Sequence, residues 1–377
     1  MKKNLIYIIF LFILMSSFLF ASKEEAEQFF KKGYNAYFIN DLNTALRNFE
    51  NAVAMQPNNP EYHFHLGKTL DKLKRYDEAI KEYLITLKLN SEHIQALKQL
   101  GNLYFEQKAW ENALKVFNKI LSKNPKDYTS LFKLGEIYFY KNDLKESLKY
   151  FKMANVEKPD DANVYYYLGR IYLETGEFSS AIENFSQALN IEPLNSLFYY
   201  WRGNTYYAMG DFEYPRDQDW RSVEDFRKAV ELGFNQVRAV FMFGNTLLHR
   251  GFYYIKNNRK TEGNELLKKA IVQFKEVIKL DPNASNSFNN LGLAYLGINK
   301  LEEAITAFQT AIKLEPTVAF FHNNLGDAYY RQGKFEQAIS EWKLAIELEP
   351  EYSEFKSTLY GDDRTIQEKI IDAQRKQ

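Results

Sequence analysis

Apolar residues along this chain recur with two periods at once. The short period is that of a helix face. Leu97, Leu100, Gly101 and Tyr104 fall on one stripe, and Ala113, Phe117 and Ile120 form a matching stripe on the next stretch. The same second stripe returns as Ala181, Phe185 and Ala188. Polar breaks divide the two stretches, as at Asn142-Asp143, Gly176-Glu177, Gly210-Asp211 and Gly333-Lys334. The long period is 34. Gly33, Gly67, Gly101, Gly135, Gly169 and Gly203 are each 34 apart; Gly244 follows after 41, Gly292 after 48 and Gly326 after 34. Proline closes most cycles (Pro57, Pro125, Pro159, Pro193, Pro282, Pro316, Pro350), because it cannot continue a helix interior. The pattern predicts antiparallel helix pairs in nine repeats, at 26–59, 60–93, 94–127, 128–161, 162–195, 196–236, 237–284, 285–318 and 319–352. Each repeat buries its apolar face only against its neighbours. The recurrent glycine lets paired helices approach closely, which outweighs its propensity cost of about 1 kcal/mol.

Two repeats break the period. The sixth carries seven extra residues around Tyr214-Pro215-Arg216-Asp217-Gln218-Asp219-Trp220, a composition that reads as a loop. The seventh carries 14 extra between Leu247 and Ala270. Split evenly, they add two turns to each helix and keep the facing stripes in register. The expectation is a hairpin projecting about 10 Å beyond its neighbours. Past Pro350, Ile366, Ile370 and Ile371 recur at helical spacing, which predicts a capping helix and frayed tail within 353–377.

The first residues have a different pattern. Lys2-Lys3 precede an apolar run from Leu5 to Phe20, and Ala21-Ser22 is followed at once by Lys23, Glu24 and Glu25. This is the layout of a secretory signal peptide over 1–21 with a short linker at 22–25. The alternative is a retained membrane anchor. Either reading places the repeats outside the cytoplasm, in the periplasm, with membrane contact only through an uncleaved N-terminus.

The stretch from Asn283 to Pro350 states the repeat twice: Phe288-Asn289-Asn290-Leu291-Gly292, Tyr295, Ala304, Phe308, Ala311 and Pro316, then His322-Asn323-Asn324-Leu325-Gly326, Tyr329, Ala338, Trp342, Ala345 and Pro350. This motif set resembles the tetratricopeptide repeat (TPR) family over residues 26–352. The resemblance implies an all-α fold: a right-handed α-solenoid of nine TPR helix-turn-helix units with a C-terminal capping helix. It also implies a concave groove that binds a peptide or protein partner. Two family sub-patterns bear on that groove. A clamp for terminal carboxylates begins with Lys98 and Asn102 but continues with Lys133, Asn163 and Tyr167 in place of its asparagine and basic pair. An asparagine ladder that grips extended peptide backbone is matched at Asn290 and Asn324, and not at Trp201 and Met242.

Composition narrows the remaining chemistry. With 49 acidic and 49 basic residues the net charge is zero, which argues against a nucleic-acid partner. Cysteine is absent, so thiolate metal sites and disulfides are excluded. No catalytic constellation stands out, and the reading is a non-enzyme without cofactor or metal. His63 and His322 occupy inward packing positions; His65 points away from His63. Gly326 to Lys334 lacks phosphate-loop spacing. Glu213, Asp217 and Asp219 are an acidic cluster that reads as a solvated loop rather than a cation site. Many of the 27 Tyr and 30 Phe are absorbed by the repeat pattern, but a second stripe of the first helices remains. Its expected groove-lining residues are Tyr34, Tyr37, Phe132, Tyr166, Tyr200, Asn204, Tyr207 and Asn245, joined by Asn290 and Asn324. Aromatic groups in a groove are binding anchors that bury much area at small entropy cost; their alternative role is packing between neighbouring helices. The expected function is an exported protein-interaction scaffold for envelope complexes. A cell-wall or glycan-binding accessory and a membrane-anchored architectural scaffold are the alternatives.

Overall fold

The computed structural model describes residues 23–210, 221–234, 236–354 and 364–377. The expected leader and the acidic insertion with Glu213, Asp217 and Asp219 lie outside the described residues. The chain divides between Asp160 and Asp161 into two compact parts.

In the N-terminal part, α1 (23–38) pairs with α2 (Leu42–Met55), α3 (Pro60–Lys72) with α4 (Tyr76–Leu89), α5 (Ile94–Glu106) with α6 (Trp110–Lys123), and α7 (Tyr128–Tyr140) with α8 (Leu144–Glu157). Side chains at the breaks start the helices. Asp41 accepts from the Thr44 N–H at 3.2 Å and Asp127 from the Ser130 N–H at 3.0 Å, satisfying backbone donors with no partner inside the helix. Left-handed residues end them, as Asn142 does at φ 61°. Phe49, Tyr83, Phe117 and Phe151 of the second helices are fully buried. Each meets the glycine of its paired first helix; a Cβ on Gly135 would sit 2.9 Å from the Phe151 ring.

The C-terminal part continues with α9 (Ala162–Glu174), α10 (Phe178–Ile191), α11 (Ser196–Ala208), α12 (Arg221–Glu231), α13 (Gln236–Lys256), α14 (Lys260–Leu280), α15 (Ser285–Gly297), α16 (Leu301–Leu314), α17 (Ala319–Arg331), α18 (Phe335–Leu348) and α19 (Ile366–Lys376). A 3-10 turn, Pro350–Glu354, follows α18. Odd and even helices from α9 to α18 again form hairpins, and α19 lies on α18. The seventh repeat is the long hairpin its spacing predicts: α13 and α14 have 21 residues each, against 13 in α15 and 14 in α16. The added turns have a close approach of their own, since a Cβ on Gly263 would lie 2.6 Å from the Gly251 carbonyl.

The closing helix departs from its expected pattern in two ways. Ile366, Ile370 and Ala373 are buried, but Ile371 is 42 % exposed and Lys369 is buried in its place. The reason is a charge on α17: Lys369 Nζ donates to Asp327 Oδ1 at 2.9 Å, and Trp342 Nε1 donates to the same oxygen at 3.1 Å. Nor does the tail fray as expected, for α19 runs to Lys376, which pairs with Asp372 at 2.9 Å.

Two buried histidines share one geometry. His63 Nδ1 lies 2.6 Å from Glu82 and its Nε2 2.9 Å from the Pro57 carbonyl; His322 makes the same two contacts with Glu341 (2.7 Å) and Pro316 (2.9 Å). Each ring faces two acceptors, so only the imidazolium, with two N–H groups, satisfies both. For His322 the Glu341 carboxylate raises the pKa; for His63 burial opposes the rise and the Glu82 bond overcomes it. A raised folded-state pKa stabilises below the unfolded value of about 6.5, and that contribution is lost as pH climbs through the folded value. Thermal melting should therefore weaken as pH rises above about 6.5, and His63→Gln with His322→Gln should flatten that slope. A melting temperature that rises over this range would contradict the assignment. Burial lowers the pKa of His65 to about 4 and also that of His249, so neither supplies a slope in this window.

Candidate functional site

The asparagines are brought together in the C-terminal part. Asn245 lies on α13, Asn289 and Asn290 on α15, and Asn323 and Asn324 on α17; α13 with α15, and α15 with α17, lie side by side. Five amides form one hydrogen-bonded run. Asn323 Nδ2 donates to Asn324 Oδ1 (3.4 Å), Asn324 Nδ2 to Asn289 Oδ1 (2.8 Å), Asn289 Nδ2 to Asn290 Oδ1 (3.0 Å), and Asn290 Nδ2 to Asn245 Oδ1 (2.7 Å). Asn323, Asn324 and Asn289 are buried, whereas Asn290 and Asn245 are half-buried. At the buried end Asn323 Oδ1 has no partner.

Burying an amide is costly unless it is bonded, and here each amide satisfies the next. An amide carries two donor hydrogens and an oxygen with two lone pairs, so a run using one of each leaves capacity at its reachable end. That end is Asn245 and Asn290. The sequence expectation of Asn290 and Asn324 as solvent-facing rungs is corrected for Asn324, which is 7 % exposed and donates inward to Asn289. Asn289 and Asn323, the links that join the repeats, were not anticipated. Their signal is the doubled asparagine at the same place in both copies.

The remaining expected groove residues have different surroundings. Tyr200 is 2 % exposed, packed on Phe234 (4.6 Å between centroids) and Phe226 (6.0 Å). Its place is in the core, which corrects the expectation of a solvent-facing ring. Asn204 Nδ2 donates to the Tyr200 carbonyl of its own helix at 2.8 Å. Tyr207 is half-buried with its ring edge-on to His249 (5.8 Å), and burial raises its phenol pKa. Tyr166 is half-buried, stacks on Phe198 at 5.6 Å and accepts from Arg170 at 3.0 Å; Arg170 in turn lies 3.6 Å from the Trp201 ring centre. In the N-terminal part, Tyr34 is 49 % exposed beside His65, Tyr37 lies under Lys72, and Phe132 is half-buried against Phe151. The first residue of the carboxylate-clamp pattern is engaged internally, because Lys98 Nζ donates to Asp127 at 2.5 Å.

Family models match these repeats along most of the chain. Models described as TPR repeat or tetratricopeptide repeat match residues 98–162, 169–210, 274–306, 298–333 and 319–352. The chain belongs to the tetratricopeptide repeat family. A further model, described as anaphase-promoting complex, cyclosome, subunit 3, matches residues 39–120 of this TPR protein. Among solved structures, the TPR chain is similar to the C-terminal part of a TPR repeat-containing protein from Cytophaga hutchinsonii, at 17% identity and TM-score 0.55, covering 70% of this chain and 99% of that one. It is also similar to a tetratricopeptide repeat protein from Parabacteroides merdae, at 18% identity and TM-score 0.50, covering 72% and 99%. These likenesses concern the fold. The TPR fold is a non-enzymatic type, and the TPR chain is a protein–protein interaction scaffold.

Proposed function

We propose that this scaffold is exported and holds an extended segment of a partner protein against the reachable asparagines of α13 and α15. The observation that carries the reading is the five-amide run ending at Asn290 and Asn245. Amides repeated on neighbouring helices match the alternating N–H and C=O of an extended backbone, whatever its side chains. Exchanging amide–amide for amide–peptide bonds costs little, so affinity builds from small terms of about 0.5–1.5 kcal/mol per hydrogen bond. Asn245→Ala with Asn290→Ala should weaken partner binding by about 1–3 kcal/mol, with a small loss of melting temperature because Asn290 Oδ1 is the acceptor of the buried Asn289 amide. Asn324→Ala should instead lower stability, because it strips a buried oxygen on Asn289 of its donor. Titration of the captured partner and thermal melting on the same proteins separate these effects. Unchanged affinity in the double variant would make the run a packing device only. Sedimentation of the wild-type chain with purified cell wall, without protein capture, would favour the glycan-binding alternative.

Export rests on the basic start, the apolar run from Leu5 to Phe20 and the charged onset at Lys23. Native protein should begin at Ser22 on N-terminal sequencing. A membrane-bound chain beginning at Met1 would establish the anchor instead. Among the described residues no helix is long and apolar enough to cross a membrane.

A further inference from the structure

One outer face of the N-terminal part combines charge with exposed aliphatic groups. On α4, Lys81, Leu84, Ile85, Lys88 and Leu89 recur at helical spacing, and all are exposed. Leu84 is 47 % exposed, while Tyr83 and Thr86 of the same helix are buried on its other side. The equivalent places in the next two repeats hold Lys115, Lys119 and Lys123 on α6, then Lys149, Lys152, Met153 and Val156 on α8. Val156 is 77 % exposed. Leu87 of α4, Leu121 of α6 and Tyr150 of α8 pack on one core cluster, so the three stripes lie side by side and face away from it. Glu157 is the sole acid among these places. In the repeats before and after, the same places hold Glu50 on α2 and Glu183 on α10. Most acids bordering the face are already engaged: Glu78 by Arg75 at 2.7 Å, Glu146 by Lys149 at 2.8 Å, Glu92 by Lys123 and Glu111 by Lys141. Among the described residues Asp77, Lys81, Lys88, Lys115 and Lys119 form no ion pair.

Lysines set among exposed leucine, isoleucine and valine call for a partner with both an anionic and an apolar layer. A nucleic acid would neutralise the lysines and leave the aliphatic groups uncovered. An inorganic anion would do the same. The surface of an anionic bilayer supplies both layers. Its headgroup phosphates meet the ammonium groups, and its acyl boundary takes the aliphatic side chains, with each lysine stem lying along the apolar layer. We propose that the outer face of α4, α6 and α8 docks on an anionic lipid bilayer. This contact is independent of the apolar run from Leu5 to Phe20 and of the asparagine site.

The test is flotation of the chain beginning at Ser22, the native start proposed above, with vesicles of phosphatidylcholine alone or mixed with phosphatidylglycerol. Binding to the anionic vesicles should exceed binding to the neutral ones by about tenfold or more, and added salt should reduce it. Lys115→Glu with Lys119→Glu should weaken binding by about tenfold or more. Leu84→Ser with Ile85→Ser should weaken it by a similar factor, which a partner held by charge alone would not show. Lys313→Glu with Lys343→Glu makes the same charge change on the outer sides of α16 and α18 and should leave binding unchanged, as should Asn245→Ala with Asn290→Ala. The lysines, Leu84 and Ile85 are exposed, so circular dichroism of their variants should match wild type. Equal flotation with neutral vesicles, flotation with neither, or equal loss in the α16 and α18 control would each overturn the proposal. So would full binding by the serine variant, which would assign the face to an acidic protein or a nucleic acid instead.

Discussion

Leucine in place of Gly135 should disrupt the α7–α8 hairpin and lower stability by about 3 kcal/mol or more. A Cβ alone would approach the Phe151 ring to 2.9 Å, and that ring is fully buried. Ser147 Oγ donates to the Gly135 carbonyl at 2.9 Å, so the backbone is pinned where it touches the ring. A branched side chain must therefore push the helices apart or drive Phe151 off its rotamer. Because coupling runs between nearest neighbours, hydrogen exchange should quicken first in α5 to α8. Phe151→Ala in the same chain should recover part of the loss by opening room for the leucine. Wild-type exchange protection in Gly135→Leu would show that the two helices do not approach this closely in solution.

Lys369→Ala should release the closing helix. The lysine is 1 % exposed and bonds both oxygens of Asp327, at 2.9 and 3.1 Å. Removing it strands a buried carboxylate whose pKa burial already raises. Breaking such a pair from one side costs about 3–5 kcal/mol, because the remaining charge is left uncompensated. Here part of that cost returns when Asp327 takes up a proton. Protease cleavage within α19 and a lower melting temperature are the expected readouts. Asp327→Asn with Lys369→Met should restore most of the stability: it removes both charges and keeps an acceptor for Trp342 Nε1. If the double variant were as weak as the single one, the ion pair itself would not be what holds the helix.

The hairpins were legible because their signals are local. Glycine opposite an aromatic recurs at fixed spacing, and the 14 residues added to the seventh cycle divide between two helices without disturbing the stripe. What escaped depends on partners far along the chain. A stripe drawn through Ile366, Ile370 and Ile371 counts apolar residues and passes over Lys369, whose burial is made tolerable by Asp327, 42 residues earlier. Asn289 and Asn290 are adjacent, so they point in different directions on the helix. Only their pairing with Asn324 and Asn245 shows that both belong to one run. Tyr34 and Tyr200 also look alike by position. Tyr200 becomes core because Phe234, just past α12, covers it, whereas Tyr34 stays half exposed.

The long α13–α14 hairpin bears on the order in which the C-terminal part assembles. Loop closure is cheapest for contacts between neighbours in sequence, and this hairpin closes through a short turn at Asn258, where φ is 60°. It then buries Leu247, Leu248, Leu266, Leu267, Ala270 and Phe274, a longer seam than a hairpin of ordinary length offers. In a chain of nearest-neighbour couplings, folding starts where one element comes closest to standing alone. The hairpin is thus the natural nucleus, from which order spreads outward on either side. Unravelling of this part would run the opposite way, from its ends inward, so a partner held at the proposed asparagine site would rest beside the last element to let go.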